Sequence, residues 1–412
     1  MFKRVPGTKD ILPEEANLWQ RIEQIAADIF ALYNYRQIRT PIIEEAGLFD
    51  RTLGATTEIV QKQMFLIHNQ QDTYALRPEG TASIARSYIE NNLDKTTGFS
   101  KLYYTGPMFR LERPQKGRLR QFHHIGCEAI GSNEASLDIE TIALADQLLK
   151  SFGISSYEIN LNSLGCPKDK ENLSQHLKEE LSKNEKDLCK DCQERIKKNV
   201  LRALDCKNEE CQRIVKSISS RQSFLCDECS SHFETVKEGL KNLNIGYELN
   251  PMLVRGLDYY NRTVFEITHP QLGSQDAIGA GGRYNNLISE LGGPDLGGIG
   301  FAFGMERLLL AQNTPLQCQE KKLVYLITLG DKARLAGLKI LAQLRTAGIC
   351  CDTDYLNKSL KGALRSANDQ KAATVLILGD NELEKNIIVV KNMSESSQKE
   401  IPLDKLMGEL RC

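Results

Sequence analysis

Two runs of strand character, residues 101–110 and 121–130, flank a short basic segment centred on Gly117. Two long strand-like runs joined so closely read as one antiparallel hairpin. Shorter strand-like runs recur at 36–43, 73–76, 157–161, 245–249 and 264–268. Pro41 interrupts the first of these and marks an edge or a bulge, since proline cannot donate to a ladder. Helices accompany the strands. Pro13 opens one, Glu14 and Glu15 suit its positive end, and Leu18, Ile22, Ile25, Ile29 and Leu32 recur at helical spacing. A second helical run, 139–152, stops at Gly153. The pattern predicts an α+β domain, an antiparallel sheet with flanking helices.

The texture changes twice further on. Residues 167–243 are dense in charge, patchily helical and rich in cysteine, and read as a helical insertion. A glycine-dense stretch, 278–304, returns to the sheet domain, which therefore comprises 1–166 and 244–310. Residues 311–321 lack periodicity and form a linker. Beyond them strand and helix alternate cleanly: 323–329, a helix carrying Leu335, Leu338, Leu341 and Leu344, 349–354, a helix over 360–367, 374–378 and 387–390. That is β-α-β-α-β, a small α/β domain over 322–412 with right-handed crossovers.

Composition sets outer limits. A chain of 412 residues holds two to three domains at roughly 100–200 residues each. Lys plus Arg (53) nearly cancel Asp plus Glu (54), which excludes a histone-like polybasic binder but leaves room for a local basic surface. No apolar run reaches the roughly 18–20 residues of a membrane span, and no apolar segment follows the first residues, so a cytoplasmic protein is expected.

The glycines of Gly298-Ile299-Gly300-Phe301-Ala302-Phe303-Gly304 are spaced one residue too widely for a dinucleotide fingerprint, and no phosphate-loop motif occurs. Close packing of a strand and a helix explains them better. The hairpin segment, Phe109-Arg110-Leu111-Glu112-Arg113-Pro114-Gln115-Lys116-Gly117-Arg118-Leu119-Arg120-Gln121-Phe122-His123-His124, interleaves basic and aromatic residues. Arginine forks match phosphate oxygens and an aromatic ring can stack a base. Arg110 and Glu112, two apart, should share a face, which suits a nucleotide site better than a solubility patch.

Phe109-Arg110-Leu111-Glu112 resembles motif 2 of the class II aminoacyl-tRNA synthetases, and 298–307, ending in Met305-Glu306-Arg307, resembles their motif 3. The first helix with the strand holding Pro41 resembles motif 1, the dimer-forming element. Leu253-Val254-Arg255-Gly256-Leu257-Asp258-Tyr259-Tyr260 and Ala280-Gly281-Gly282-Arg283-Tyr284 are similar to the two histidine-specific signatures of the histidyl-tRNA synthetase family, as is Leu76-Arg77-Pro78-Glu79-Gly80-Thr81. The resemblance implies a ligase that activates L-histidine with ATP and Mg²⁺ and transfers it to the 3′ end of tRNA(His). It also implies a homodimer and a C-terminal domain that binds the anticodon arm.

Residue by residue, the resemblance implies Glu79 and Thr81 at the α-amino group, Glu128 and Tyr260 at the imidazole, and Tyr259 and Tyr284 lining the pocket. Arg110 and Arg255 would flank the α-phosphate as the catalytic pair. Glu112 and Phe122 would contact adenine, with Arg307 on its other face, Arg118 near the outer phosphates, and Gln115 and Arg120 toward the tRNA acceptor end. The family's usual glutamine at the amino group is replaced by His124. Neutral imidazole accepts that hydrogen bond, whereas imidazolium would repel the ammonium group and weaken histidine binding at acidic pH.

The cysteine cluster has two readings. Cys189-x-x-Cys192 and Cys226-x-x-Cys229 have the paired look of a four-thiolate zinc site, with Cys206 and Cys211 as substitutes. The other reading is reduced thiols in a helical insertion. Two rival functions are also weighed. A histidine-sensing regulatory subunit of ATP phosphoribosyltransferase typically lacks the C-terminal domain and catalytic residues, whereas this chain keeps Arg110, Arg255 and 322–412. A prolyl or threonyl enzyme is disfavoured by Arg255-Gly256-Leu257-Asp258-Tyr259-Tyr260.

Overall fold

The computed structural model describes residues 2–54, 57–218, 224–316, 322–395 and 397–410. Two compact units divide the chain, Met1–Gln317 and Cys318–Cys412. Residues 317–321 of the expected linker lie outside the described residues.

The first unit is built on the expected hairpin. Ser100–Phe109 pairs antiparallel with Gln121–Ile130 in unbroken register from Ser100 opposite Ile130 to Phe109 opposite Gln121. Around it runs an eight-stranded sheet in the order Arg36–Gln37, Ser100–Phe109, Gln121–Ile130, Gly298–Gly304, Ala277–Arg283, Asn261–Thr268, Glu158–Ser163, Glu248–Leu249. The six inner strands are antiparallel, and each short edge strand is parallel to its neighbour.

One face of this sheet carries Ile125, Cys127, Ala129, Phe301 and Phe303, buried against helices Pro13–Leu32, Ala135–Ser151 and Asp227–Asn242. Trp19, Ile22, Ala26, Ile29 and Phe30 form the buried stripe of the first helix; of the apolar residues expected there, Ile22 and Ile29 lie in it, Leu18 and Ile25 flank it half-buried, and Leu32 is exposed. Each large apolar side chain fully buried there contributes roughly 1.5–3 kcal/mol.

The 36–43 run does not form one strand. Arg36–Gln37 joins the large sheet, whereas Ile43–Glu45 joins a separate sheet with Thr73–Leu76 and Phe65–His68. Pro41 falls in the crossing between them, where the backbone needs no ladder donor. The 245–249 run is likewise a strand only at Glu248–Leu249.

The 167–243 segment is helical as expected, with helices Pro167–Lys183, Lys190–Lys198, Glu209–Ser217 and Asp227–Asn242. It holds its own apolar cluster, including Leu177, Leu181, Ala203, Leu204 and Val215.

In the second unit, Cys351–Thr353, Val324–Leu329 and Thr374–Gly379 are parallel. Helix Asp331–Thr346 packs Leu341 and Leu344 on the face bearing Leu326 and Leu376. Ala363 and Ala367 of helix Leu360–Asp369 pack on the opposite face, with Tyr325, Ile327 and Val375. That two-residue alternation is why helices cover both faces. Ile387–Asn392 runs antiparallel to its neighbour and is followed by an edge strand, Gln398–Pro402, that the sequence reading does not contain. Its single buried position, Ile401, leaves no alternating signature to detect.

Candidate active site

The face of the large sheet opposite the helices is shaped by small residues. Phe122, His124, Gly126 and Glu128 alternate onto it from Gln121–Ile130, with Tyr104 beside Gly126 on the neighbouring strand. Gly300, Ala302 and Gly304 stand opposite Glu128, Gly126 and His124, and Ala280 and Glu266 continue the row outward. A cavity of about 330 Å³ lies on this floor. A methyl group at Gly300 would overlap the Glu128 carboxylate, and one at Gly298 the Tyr284 ring. The glycine-dense stretch therefore serves less to bring strand and helix together than to leave room for these two side chains.

One end of the cavity is a buried carboxylate–phenol cluster. Glu79 caps helix Thr81–Glu90 by accepting the amide hydrogens of Thr81 at 2.7 Å and Ala82 at 2.8 Å. Burial raises its pKa against the pull of those donors. Glu128 accepts hydrogen bonds from the Thr81 hydroxyl at 2.7 Å and the Tyr284 hydroxyl at 2.6 Å. Burial pushes its pKa up to about 8, opposed by those two donors, with repulsion from Glu79 adding to the rise. Tyr259 packs on Tyr260 with ring centroids 4.5 Å apart and reaches Glu79 at 3.5 Å. Burial takes the Tyr260 hydroxyl up to about 12.

The other end is cationic. The Arg110 Nε donates to the Pro78 carbonyl at 2.9 Å, and its guanidinium lies 5.2 Å from the Phe122 ring centroid. Burial brings its pKa down to about 10, so it stays charged at neutral pH. Arg255 is held by Glu266 at 2.6 Å, while its buried Nε has no protein partner. Glu112 pairs with Arg118, and Arg110 lies 3.9 Å from the same carboxylate. Arg307 donates to the carbonyls of Gly117 at 3.0 Å and Ala277 at 2.5 Å. His124 lies between these ends with its Nδ1 buried and unpartnered. Burial, reinforced by Arg110 and Arg77, holds its pKa down at about 3. That direction favours the neutral imidazole, the form that can accept a hydrogen bond from the substrate amino group.

Residues 7–308 match the family model of histidyl-tRNA synthetase, and 323–412 match that of an anticodon binding domain. The chain belongs to the histidyl-tRNA synthetase family. Its catalytic unit has the class II synthetase fold. The chain is 46% identical to a histidine–tRNA ligase of Halothermothrix orenii over 98% of both chains. Among solved structures, that of apo S. aureus histidyl-tRNA synthetase superimposes with a TM-score of 0.83 at 36% identity, covering 99% of each chain. An ATP phosphoribosyltransferase regulatory subunit/histidyl-tRNA synthetase from Bacillus halodurans gives a TM-score of 0.66 at 21% identity, covering 92% of this chain and 97% of that one. That likeness is one of fold alone, so it lends the regulatory reading no weight.

Seen within this family, the expected site residues fall into two groups. Glu79, Thr81, Arg110, Glu112, Arg118, Phe122, His124, Arg255, Tyr259, Tyr260 and Arg307 line one cavity, with Glu128 and Tyr284 bonded directly behind it. Gln115 and Arg120 do not line it. Gln115 forms a tight bridge with Arg118, and the Arg120 guanidinium turns back to the carbonyls of Pro6 at 3.2 Å and Glu112 at 3.3 Å.

The cysteines do not group as their C-x-x-C pairs suggest. Cys189 and Cys192 gather with Cys206 and Cys211, whereas Cys226 and Cys229 gather with Cys166 and Asp169. Each C-x-x-C sits at a helix N-terminus, and it is the packing of those helix ends, not sequence spacing, that selects the partners.

Among the lining residues that the sequence reading gives no role are Tyr104 and Glu266. Tyr104 closes the floor over Gly80 and Gly126, and Glu266 anchors Arg255. Glu266 had a signal, a lone acid inside the apolar run Val264-Phe265-Glu266-Ile267.

Proposed function

We propose that this chain is a histidine–tRNA ligase that activates L-histidine with ATP and transfers it to tRNA(His). The observation that carries this reading is one cavity lined by Glu79, Tyr259 and Tyr260 at one end, with Glu128 bonded behind Thr81, and by Arg110 and Arg255 at the other. Glu128 and Tyr260 hydrogen-bond the imidazole, and a site built for both ring nitrogens rejects apolar side chains of similar shape. Glu79 and Thr81 take the α-amino group, with neutral His124 accepting a further hydrogen bond from it. Tyr259 and Tyr284 complete the walls.

ATP lies along the cationic end. Adenine packs between Phe122 and Arg307 with Glu112 at its edge, and Arg118 meets the outer phosphates. A histidine carboxylate oxygen bonds to the α-phosphorus as its bond to the bridging oxygen breaks and pyrophosphate departs. Arg110 and Arg255 neutralise charge on the α-phosphate, and no protein nucleophile is required. The Glu112 carboxylate, with the phosphates, would hold Mg²⁺. When bound, the ion supplies further neutralisation of phosphate charge. In the second step the terminal ribose hydroxyl of tRNA attacks the histidyl carbonyl and AMP leaves. The match of 323–412 supports anticodon recognition by the C-terminal unit. Gln115 and Arg120, on the loop beside the cavity mouth, are proposed to meet the acceptor end.

The active form is a homodimer acting in the cytoplasm. The resemblance of the first helix and following strand to motif 1 supports the dimer, as do the exposed Leu32, Ile42 and Ile43 beside them. The deciding experiment is ATP–pyrophosphate exchange with each of the twenty amino acids singly and no tRNA. Exchange with histidine alone is expected. Exchange with another amino acid would overturn the pocket assignment, and none from folded, histidine-binding protein would move the reading to a regulatory subunit.

A further inference from the structure

The helical insertion contains a second cluster of chemistry-bearing side chains that the ligase reaction does not use. Cys189 is the N-cap of helix Lys190–Lys198, and Cys192 lies in its first turn. Cys206 follows the short helical segment Val200–Asp205, and Cys211 lies in the first turn of helix Glu209–Ser217. The four sulfurs lie within 4.8 Å of one another. Cys189 and Cys206 are separated by 3.8 Å. A zinc ion with four sulfurs at about 2.3 Å has tetrahedral edges of about 3.8 Å, so this pair already stands at the spacing of two ligands. No disulfide joins any of them, since every described cysteine is a free thiol.

The surroundings favour thiolate. The Cys189 amide donates to the Cys211 sulfur at 3.2 Å, and the Asn208 amide to the Cys206 sulfur at 3.5 Å. Amide donors of this kind orient and stabilise metal-bound sulfur. The spacing is C-x₂-C followed by C-x₄-C, both within the range of structural zinc sites.

We propose that Cys189, Cys192, Cys206 and Cys211 form a structural zinc site that braces residues 199–206 against the loop carrying Arg255. The chain between the two cysteine pairs is what reaches the catalytic unit. Asn199 donates to the Asp258 carboxylate at 3.2 Å, and Arg202 to the Gly256 carbonyl at 3.0 Å. Arg195 ties the same segment back to the helix through the Arg202 carbonyl at 3.1 Å. Zinc thus pins both ends of a strut whose middle touches Gly256 and Asp258. The metal site stands on its own geometry; the value of the strut to histidine activation rests on the ligase reading.

The test is metal content of full-length protein made in zinc-supplemented medium and purified without chelator. The Cys206→Ser, Cys211→Ser double variant is expected to hold about one zinc per chain less than the parent. The Cys226→Ser, Cys229→Ser variant, altered only in the other cluster, is expected to keep that zinc. Because losing the metal also loosens the insertion, Co²⁺ is added to metal-free Cys226→Ser, Cys229→Ser protein. Strong sulfur-to-cobalt charge transfer with tetrahedral visible bands is expected. Removal of the metal should also speed tryptic cleavage after Lys198, Arg202 or Lys207 about tenfold, as the strut opens locally. Iron in place of zinc, equal zinc in the parent and the Cys206→Ser, Cys211→Ser protein, or Co²⁺ without thiolate charge transfer would each overturn the proposal. A pyrophosphate-exchange failure that leaves the zinc result intact would count against the ligase reading alone.

Discussion

Tyr284 donates its phenolic hydrogen to Glu128 at 2.6 Å, in a space kept open by Gly298 and Gly300. Three strands meet in this one contact. Glu128 comes from the hairpin, Tyr284 from the end of strand Ala277–Arg283, and the glycines from the strand between them. A side chain at Gly298 or Gly300 would overlap Tyr284 or Glu128, so the glycine pattern and the Tyr284–Glu128 contact have one physical origin.

The position of Glu128 makes stability depend on pH. Its folded pKa is raised to about 8, above the usual carboxyl range, because burial disfavours the charge. Its contribution is therefore fully present below the unfolded pKa and is lost as pH rises through about 8. Glu128→Gln removes this dependence. The melting temperature of the variant relative to wild type should climb from about pH 5 to pH 8 and level off above. A constant difference across that range would show that Glu128 ionises normally.

His124 should contribute no pH dependence to histidine binding. Its burial beside Arg110 and Arg77 keeps the ring neutral down to about pH 3. Histidine affinity measured for wild type and His124→Gln will change with pH through other groups, such as Glu128. The ratio of the two affinities should stay constant within about twofold from about pH 5.5 to 8.5. A ratio that falls on the acidic side would mean that the imidazole does charge in the site.

How much of this site could be read beforehand differs between its parts. The placing of Arg110 and Glu112 together was legible from the alternation along the hairpin, whereas Phe122 and Glu128 were singled out only through the family resemblance. Glycines could be located but not interpreted, because what they make room for comes from other strands. The pairing of Arg255 with Glu266 joins a loop to a strand eleven residues on, and the split of 36–43 between two sheets depends on long-range pairing. The cysteine grouping was misread for the same reason. C-x₂-C identifies a helix end, but which helix ends meet is decided by the apolar cluster of Leu177, Leu181 and Leu204 beneath them.

Gly300→Ala should damage the site more than the fold. The added methyl group would overlap the Glu128 carboxylate and the Cys127 carbonyl behind it. Overpacking of this kind costs roughly 1–3 kcal/mol. The expected outcome is a modest loss of melting temperature with a KM for histidine raised at least about tenfold in pyrophosphate exchange. Unchanged KM would show that Glu128 can move aside without consequence for the imidazole.

Arg283 and Asp138 form an ion pair with both side chains fully buried, at 2.5 Å. Arg283 also donates to the carbonyls of Ser132 and Glu134 at 2.8 and 2.9 Å, fixing the turn after the hairpin to the strand that leads into Tyr284. Asp138→Ala would leave a buried guanidinium without its counter-charge and should lower unfolding free energy by roughly 3–5 kcal/mol. Adding Arg283→Met should recover part of that loss. Denaturant unfolding of the two variants measures both, and equal stability of the single variant and wild type would rule out a structural role for the pair.

Arg255 and Glu266 test the catalytic assignment most directly. Glu266 fixes one guanidinium nitrogen of Arg255 at 2.6 Å, leaving the buried Nε without a protein partner. A planar fork can hold Glu266 through one nitrogen and a phosphate oxygen through another, whereas a lysine ammonium is a point charge that cannot span both. Arg255→Lys should therefore lower kcat for pyrophosphate exchange by roughly 10²–10³-fold, the loss typical of one electrostatic contact made in the transition state. The KM for histidine should change far less, because Glu79, Thr81 and Glu128 stay in place. Glu266→Gln should cost less than Arg255→Lys, since it loosens the guanidinium without removing it. Combining the two should add little to Arg255→Lys alone, because the anchor has no function once the fork is gone. Full additivity of the two losses would instead give Glu266 an independent part, in keeping with its place on the cavity floor beside Ala280.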